Sequence, residues 1–447
     1  MTLEYDRNCC HMIIVAQCEI LKIRSAGTRC LQKFATEQKT MPKEYIDGAT
    51  AIARGALAAG CDFFAGYPIT PATPILLHML NELPKVGGVG IEAEDEIGAI
   101  SMCIGASVAG ARPMTATSGP GISLYSENIG LAIMGEAPLV IVDVMRMGPA
   151  TGGATTTAQG DIQFVRWGTS GGYPIIALIP SSVAECYTLT QRAFDLAERF
   201  RAPVFLLVDK ELNNAMATVE IAEYEDVPVR RRPLVPQQRP APEVVDGVRV
   251  NAVTGQPDPR LRPEETYLPY DFDPIDEPPP ASPYGGPHIT RFTTSSHDEH
   301  GFLTKDPVKV KRLNDHLRLK ILNHRDEIAL GAADVQEEAE TLFIAYGATA
   351  RAMREAVDRS RAAGKPASGL TLHTLWPVPE QLILDAAAGH KRIVVAELNH
   401  GQYIREIELL LYRNAARKQA PPPEILGLDR ADGQLITPEQ FVRMVNS

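Results

Sequence analysis

Short apolar runs alternate with helix-like segments along the chain from Asp47 to Val208, and this alternation limits the fold more than any other feature. We interpret Pro138 to Val144 as one continuous apolar run, which is typical of a strand buried on both faces. Runs of this kind that are separated by helical segments predict a doubly wound, mostly parallel sheet. The expected class is therefore α/β.

A second α/β region follows, with predicted strands at Glu340 to Tyr346, Leu370 to Leu375 and Arg392 to Glu397. Between the two regions, residues 228–287 are rich in Pro, Asp, Glu and Gly, a composition that favours an extended linker. We predict two doubly wound domains at residues 41–227 and 336–447. Residues 228–335 would form the Pro-rich linker and one charged helix.

Residues 1–40 differ from the rest of the chain, because they hold Cys9, Cys10, Cys18 and Cys30 and show no clear periodicity. We interpret them as a disordered or wrongly assigned extension, with Met41 as the alternative start. A metal-binding tail is the other interpretation, although Cys9-Cys10-His11 has poor spacing for metal ligands.

The composition excludes several classes of function. A net charge of -11 argues against nucleic acid or an anionic membrane surface as the main partner. No apolar run is long enough to cross a bilayer. The seven cysteines show no CxxC spacing, which suits free thiols in a reducing cytoplasm and predicts no iron–sulfur cluster ligated by this chain alone.

Four predicted strands of the first domain end in polar or Gly-rich turns. The turns are Gly66 to Pro71, Glu92 to Ala99, Thr117 to Gly121 and Arg146 to Asp161. Ligands bind at the carboxyl ends of strands in open α/β sheets, so we expect the four turns to form one site. We also expect Pro71 to begin a helix, since proline suits the first helical position.

The side chains of these turns favour an anionic or carbonyl substrate. Arg146 follows a buried apolar strand, where a guanidinium needs an anionic partner. Thr70 offers a hydroxyl, and the backbone N–H groups after Ser118 can receive an anion or the edge of a heterocycle. The alternatives are a helix cap for Thr70, a structural ion pair for Arg146, and helix-dipole compensation for the acidic turn.

Taken together, the turns are far more specific than any one of them. Their sequences Gly-Tyr-Pro-Ile-Thr-Pro, Glu-Asp-Glu-Ile-Gly-Ala, Ala-Thr-Ser-Gly-Pro-Gly and Asp-Val-Met-Arg-Met-Gly-Pro-Ala-Thr-Gly resemble the alpha subunit of 2-oxoacid:ferredoxin oxidoreductases, most closely the 2-oxoglutarate type. The resemblance extends over roughly Lys43 to Val445. It includes His297 to Gly301 in the linker and Glu397 to Gln402 in the second domain.

This resemblance implies a thiamine diphosphate enzyme that decarboxylates a 2-oxoacid oxidatively, with coenzyme A as acyl acceptor and ferredoxin as electron acceptor. The chain would supply the pyrimidine-binding domain and a transketolase C-terminal-like domain. A separate beta subunit would hold the diphosphate, Mg²⁺ and an iron–sulfur cluster, and a gamma subunit is a further candidate partner. A Gly-Asp-Gly diphosphate motif is absent; Gly160-Asp161-Ile162 is the nearest match.

Carried over residue by residue, the resemblance implies that Glu96 hydrogen-bonds the aminopyrimidine ring, with Glu94 as the alternative. Thr70 matches a hydroxyl near the substrate, and Arg146 matches the guanidinium that binds the substrate carboxylate. We predict Glu96, Thr70 and Arg146 as catalytic residues and no metal ligand. The predicted cofactor contacts are Tyr67, Pro68, Ile69, Glu96, Ser118 and Gly119. His297 stays open between a linker turn and a site role.

The chain departs from the family pattern at Met145, Ala150 and the stretch Gly153 to Thr156, which lacks the usual proline. These positions lie next to the expected substrate pocket, so the particular 2-oxoacid is open, with 2-oxoglutarate as our prediction. Two other functions remain as alternatives. They are a non-catalytic assembly subunit and the E1 subunit of a lipoamide-linked 2-oxoacid dehydrogenase.

Overall fold

The structure is a computed structural model that describes residues 43–220, 230–235, 267–286, 288 and 290–446. The interpretations of residues 1–40 and of the linker between residues 236 and 266 lie outside these ranges. Apart from Lys43, the described residues belong to one compact unit, Glu44–Ser447.

The first half of the chain builds a seven-stranded sheet with helices on both faces. Its strands are β2 (Phe63–Gly66), β3 (Val89–Glu92), β4 (Pro113–Thr117), β5 (Leu139–Met145), β6 (Ile176–Leu178), β7 (Pro203–Asp209) and, from the second half, β12 (Thr374–Trp376). The order is β12-β6-β7-β5-β4-β2-β3, and every pair is parallel except β12 with β6.

The helices of this half are α1 (Gly48–Ala58), α2 (Thr73–Glu82), α3 (Glu96–Val108), α4 (Gly119–Leu124), α5 (Ser126–Met134), α6 (Ile162–Trp167), α7 (Val183–Phe200) and α8 (Lys210–Asn214). A separate two-stranded sheet pairs β1 (Lys43–Asp47) with β8 (Met216–Glu220). Burial on both sides explains why β5 and β7 are so apolar, since every residue of each is buried.

The second half builds a five-stranded sheet in the order β14-β13-β10-β11-β9. Its strands are β9 (Gly331–Asp334), β10 (Thr341–Tyr346), β11 (Ser368–Leu372), β13 (Arg392–Glu397) and β14 (Glu424–Asp429). Only β9 runs antiparallel to its neighbour. The helices are α9 (Pro307–Leu322), α10 (Arg325–Ile328), α11 (Thr349–Ala362), α12 (Glu380–Ala387), α13 (Ile404–Lys418) and α14 (Pro438–Asn446). The predicted α/β class with two mostly parallel sheets is confirmed.

The two sheets share one apolar core. Ile141 and Phe205 of the first sheet belong to the same buried cluster as Leu342 and Ile344 of the second. The strand β12 strengthens this connection, because it follows β11 in sequence but pairs with β6 of the first sheet. The sequence suggested one strand from Leu370 to Leu375, and that prediction is wrong: the chain leaves the second sheet after Leu372.

Two helix predictions also need correction. The helix after the first turn begins at Thr73 and carries Pro74 in its first turn, so Pro71 precedes it. The sequence pattern also predicts a single helix from Gly121 to Met134. The structure instead has two helices, α4 and α5, divided at Tyr125, a fully buried residue whose hydroxyl lies 2.8 Å from Oγ1 of Thr115.

Described parts of the Pro-rich segment lie in irregular structure held by ion pairs with α7. Arg232 forms an ion pair with Glu198 of α7 at 2.7 Å, and the Glu277 carboxylate accepts two hydrogen bonds from Arg199. No helix among the described residues is long and apolar enough to cross a membrane.

Candidate active site at the strand ends

The four turns follow four adjacent strands, at the same edge of the first sheet. These strands, β5, β4, β2 and β3, are neighbours in the sheet order and run parallel. Their carboxyl ends therefore meet at a single edge, where ligands bind in open α/β sheets. The topology brings the predicted site residues into one region.

Glu96 is the buried member of the acidic turn. Asp95 is the N-cap of α3 and accepts a hydrogen bond from the Gly98 N–H at 2.6 Å, which directs its side chain to the helix end. Glu96 is the first residue of α3 and is 8% exposed, whereas Glu94 is exposed. Of the two candidate carboxylates, only Glu96 faces the protein interior.

Gly121 allows α4 to approach this carboxylate closely. A Cβ atom at Gly121 would lie 2.0 Å from Oγ1 of Thr117 and 2.9 Å from Cγ of Glu96. The buried hydroxyls of Thr117 and Ser118 have no hydrogen-bond partner among the described residues. An unpaired buried hydroxyl is costly, so two of them beside a buried carboxylate are suited to a ligand with donors and acceptors.

Arg146 connects two of the turns. Its side chain is buried, and Nη1 donates to the backbone oxygen of Thr70 at 2.5 Å. Its Nε has no partner within the described part of the chain. The Thr70 side chain is exposed at the same place, and the Thr70–Pro71 peptide is cis. The guanidinium is therefore fixed at one end and retains a donor for an anion.

The other predicted cofactor contacts lie in the same region with different exposure. Tyr67 and Pro68 are exposed, and Ile69 packs against the core on the α2 side. A Cβ at Gly119 would lie 3.9 Å from Cγ of Arg146, so the α4 turn borders the arginine. His297 is in a different environment: its ring contacts that of Tyr270, with the centroids 4.0 Å apart and the planes tilted by 48°, and burial lowers the pKa of the imidazole.

The second domain holds the far end of the Gly- and Thr-rich loop that follows Arg146. The Gln159 N–H donates to the backbone oxygen of Leu398 at 2.8 Å, and Oε1 of Gln159 accepts from the Leu398 N–H at 2.9 Å. Asn399 donates to the backbone oxygen of Gln159 at 2.9 Å, and Gln402 donates to that of Gly160 at 2.7 Å. The Asn399 and Gln402 motif therefore anchors a loop of the other domain.

Sequence reasoning missed two acidic residues of this region. Asp143 is fully buried in the middle of β5, and neither of its carboxylate oxygens has a hydrogen-bond donor among the described residues. Asp161 follows the loop and precedes α6, and its buried Oδ2 also lacks a partner. The available signal was an acidic residue inside a strand that we interpreted as uniformly apolar.

These residues suit the pyrimidine end of thiamine diphosphate, which offers an amine, ring nitrogens and an aromatic face. The buried carboxylate of Glu96 and the unpartnered hydroxyls of Thr117 and Ser118 match its hydrogen-bonding groups. Within the described ranges, no three His, Cys, Asp or Glu side chains form a group that could hold a metal ion.

Comparison with known families gives the same result. Residues 54–270 match the model of the pyruvate flavodoxin/ferredoxin oxidoreductase thiamine diphosphate-binding domain. Residues 339–441 match that of pyruvate:ferredoxin oxidoreductase core domain II. The fold and site thus define a thiamine diphosphate-dependent oxidoreductase, which confirms the predicted cofactor and class of enzyme.

Individual relatives narrow this class. The 2-oxoglutarate synthase subunit KorA of Methanothermobacter thermautotrophicus is 39% identical over 91% of this chain and 99% of its own length. The ketoisovalerate oxidoreductase subunit VorB of the same organism is 34% identical over 83% of this chain and 90% of its own. The chain belongs to the 2-oxoacid:ferredoxin oxidoreductase family as an alpha-type subunit, as its turns predicted.

A solved structure agrees. The 2-oxoglutarate:ferredoxin oxidoreductase of Magnetococcus marinus, with 2-oxoglutarate, coenzyme A and succinyl-CoA bound, matches with a TM-score of 0.76 and 30% identity. The match covers 92% of this chain and 66% of the Magnetococcus chain. The present chain thus corresponds to about two thirds of that longer polypeptide.

Proposed function

We propose that this chain is the alpha subunit of a 2-oxoglutarate:ferredoxin oxidoreductase that converts 2-oxoglutarate and coenzyme A to succinyl-CoA. Its electron acceptor would be ferredoxin. The proposal rests on one observation: at a single sheet edge, Gly121 packs closely against Glu96, and Arg146 donates a hydrogen bond to the backbone of Thr70. Four relatives named as 2-oxoglutarate synthase subunits are 36–39% identical to this chain, whereas two named as ketoisovalerate oxidoreductase subunits are 34% and 32% identical.

In this proposal Glu96 accepts a hydrogen bond from a ring nitrogen of the cofactor and holds a proton at that atom. Gly119 and the Ser118 hydroxyl border the ring, and the turn from Tyr67 to Ile69 forms the opposite wall. When bound, thiamine diphosphate supplies the carbon nucleophile and the electron sink for decarboxylation. Burial of Glu96 excludes water, which strengthens its hydrogen bond to the ring.

Arg146 is proposed to bind a carboxylate of the substrate. Its guanidinium is charged at every physiological pH, and its fork geometry suits a carboxylate. The hydrogen bond to the Thr70 backbone restricts its rotation, so less conformational entropy is lost on binding. The exposed Thr70 hydroxyl lies on the same turn and is proposed to contact the substrate.

The remaining parts of the enzyme are proposed to come from other subunits. A beta subunit would hold Mg²⁺, the diphosphate and the iron–sulfur cluster, and a gamma subunit would be a further partner. The proposed division of this chain is residues 41–227, 228–335 and 336–447. We propose a cytoplasmic location, which the free thiols of Cys61, Cys103 and Cys186 support.

The proposal is tested with the alpha subunit co-expressed and purified with its beta subunit. Glu96→Gln keeps the size of the side chain but weakens its basicity. We expect coenzyme A-dependent reduction of a viologen dye with 2-oxoglutarate to fall by about a hundredfold or more, the usual effect of losing an acid–base group. Glu94→Gln is the matched control, since Glu94 is exposed two residues away.

Equal activity of Glu96→Gln and the wild type would contradict the catalytic role and favour a non-catalytic assembly subunit. The same assay with pyruvate and 2-oxoisovalerate tests the substrate. A higher kcat/KM for either acid than for 2-oxoglutarate would overturn the proposed substrate and leave the enzyme class intact.

A further inference from the structure

Gln159 lies at the far end of the Gly- and Thr-rich loop and is bonded through its backbone and through both ends of its side-chain amide. The residue is fully buried. Its Oε1 accepts from the Leu398 N–H at 2.9 Å, and its backbone N–H donates to the backbone oxygen of Leu398 at 2.8 Å. Its Nε2 donates to Oδ1 of Asp209 at 2.8 Å and to the backbone oxygen of Tyr346 at 3.3 Å. These partners fix the amide in one orientation, because its oxygen faces a donor and its nitrogen faces two acceptors.

Asp209 connects the end of this loop to its beginning. It is the last residue of β7 and the register partner of Met145, which precedes Arg146. Its carboxylate accepts from Nε2 of Gln159 through Oδ1 and from the Ala348 N–H through Oδ2, at 2.8 Å each. Burial raises the pKa of Asp209 to about 6, although both hydrogen bonds act in the opposite direction. Gln159 is therefore fixed beside the end of β5, where Arg146 follows.

The residue after Arg146 is tied to the same part of the loop. The Met147 N–H donates to the backbone oxygen of Thr156 at 2.9 Å. Thr156 lies three residues before Gln159. The backbone on both sides of Arg146 is thus restrained, either by the end of the loop or by Asp209. A displacement of Gln159 would consequently be transmitted to the arginine.

The second domain contributes to this restraint from one edge of its sheet. Ala348 lies after β10, Leu398 after β13 and Gly433 after β14, and these three neighbouring strands run parallel. A Cβ at Gly433 would overlap Cγ2 of Thr156 and lie 3.3 Å from Cε of Met147. The carboxyl edge of the second sheet, the edge at which ligands bind in open α/β sheets, therefore faces the loop of the first domain.

We propose that Gln159 and Asp209 are positioning residues, through which the second domain holds the loop of residues 147–158, and with it Arg146, in the position that binds the substrate carboxylate. This inference rests on the proposed function for its kinetic consequence. The restraint of the loop by Gln159 does not depend on any activity.

The kinetic test uses the alpha subunit assembled with its beta subunit and 2-oxoglutarate at pH 8. Gln159→Met has a side chain of similar length with neither donor nor acceptor. KM is expected to rise by about tenfold, the order of effect of a lost hydrogen bond to a charged group. We expect kcat to stay within about twofold, since the substrate carboxylate is bound equally in the ground state and the transition state. An unchanged KM, with or without a lower kcat, would overturn the proposal.

Gln163→Met is the matched control. Gln163 lies on α6 at the same junction between the domains, and its Nε2 donates to the backbone oxygen of Gln402 at 3.0 Å and to Oε1 of Glu406 at 3.1 Å. The substitution removes these bonds outside the loop, so KM is expected to change by less than about twofold. Equal increases in KM for Gln159→Met and Gln163→Met would overturn the proposal, because they would show a general weakening of the junction.

Reversal of the pair tests the hydrogen bond between Gln159 and Asp209 itself. Gln159→Glu alone places a second carboxylate against Asp209, and KM is expected to rise at least as far as in Gln159→Met. Adding Asp209→Asn supplies a donor to the new carboxylate, while the oxygen of the new amide still accepts from the Ala348 N–H. The double variant should therefore return KM to within about threefold of the wild type. A double variant with a KM no lower than that of Gln159→Glu would overturn the proposal.

Hydrogen exchange tests the restraint without turnover. In the assembled complex, exchange of the peptide that contains the Met147 amide should accelerate by about tenfold in Gln159→Met. Mass spectrometry measures the rate, and an unchanged circular dichroism spectrum is the check on folding. Unchanged exchange would overturn the inference. Accelerated exchange in Gln159→Met, together with a wild type that has no activity with any 2-oxoacid, would instead contradict the proposed function.

Discussion

Replacement of Gly121 should disturb the activity of the site more than the stability of the fold. Its missing side chain leaves space for the Thr117 hydroxyl and for Glu96. We predict that Gly121→Ala lowers the free energy of unfolding by about 1–3 kcal/mol, the usual cost of inserting a methyl group into a packed site. The loss of activity, expressed as a free energy of activation, should exceed this loss of stability, because Glu96 must move. Urea denaturation and the viologen assay measure the two effects.

Gly105→Ala is the matched control for this prediction. Gly105 lies in α3, the helix that begins with Glu96, but a Cβ there would meet no atom within 4 Å. Alanine at an open helical position stabilises by about 0.5–1 kcal/mol. Full activity in Gly121→Ala would mean that Glu96 has no fixed position at the site.

The sequence identifies some residues of the site and misses others. The resemblance singled out Glu96, Thr70 and Arg146, but their mutual contacts depend on strand order, which no local pattern contains. Helix capping explains the different roles of the acids in this turn, since Asp95 is the N-cap of α3 and the side chain of Glu96, the next residue, is buried. Asp143 was missed because one acid among the seven residues of β5 does not disturb a hydrophobic run.

At the scale of elements, the loop from Met147 to Asp161 depends on the second domain. Gln402 donates to the backbone oxygen of Gly160, and its Oε1 accepts from the Gln163 N–H at 3.0 Å. That N–H lies in the first turn of α6, where no intrahelical acceptor exists. The second domain thus helps to position the end of this loop and the start of α6.

We predict that Gln402→Ala lowers the free energy of unfolding by about 1–3 kcal/mol, because two side-chain hydrogen bonds are lost and their partners are partly buried. Hydrogen exchange of the Gln163 amide should accelerate, and mass spectrometry measures it. Gln381→Ala is the control, since Gln381 is exposed on α12 and its side chain bonds Asp385, four residues away on the same helix. Unchanged exchange at Gln163 would show that the loop is held by other contacts.

The bounds of helices and strands were predicted correctly where local periodicity determines them. The predictions were wrong where tertiary contacts determine the bounds. The sequence pattern predicts a strand from Pro113 to Thr117 and a helix from Val183 to Phe200, and β4 and α7 have these bounds. Strand β12 was not separable from β11, because its pairing with β6 is decided by packing between the two sheets. The prediction that Pro71 begins a helix failed because the turn continues to Ala72, and the helix takes Pro74 instead.

At the scale of the whole molecule, the two halves are joined by the shared core, by strand β12, by the hydrogen bonds of Gln159 and Gly160 to the second domain, and by the Pro-rich segment. The last of these is fixed through Arg232, which donates to Glu198 at 2.7 Å and to the backbone oxygens of Ser107 and Ala111. Arg112 lies 3.9 Å from the same glutamate. A segment that composition identified only as a linker therefore contributes a buried ion pair to the first domain.

Breaking this ion pair should destabilise the molecule as a whole. We predict that Arg232→Met lowers the free energy of unfolding by about 3–5 kcal/mol, because Glu198 stays buried with only the more distant Arg112 as counterion. Arg230→Met is the control two residues away: Arg230 pairs with Asp195 and Glu327 at a side-chain exposure of 41%, so its loss should cost about 0–1 kcal/mol. Urea denaturation of the two variants measures the difference. Equal losses would mean that the buried ion pair of Arg232 stabilises the molecule no more than the solvent-exposed pairs of Arg230 do.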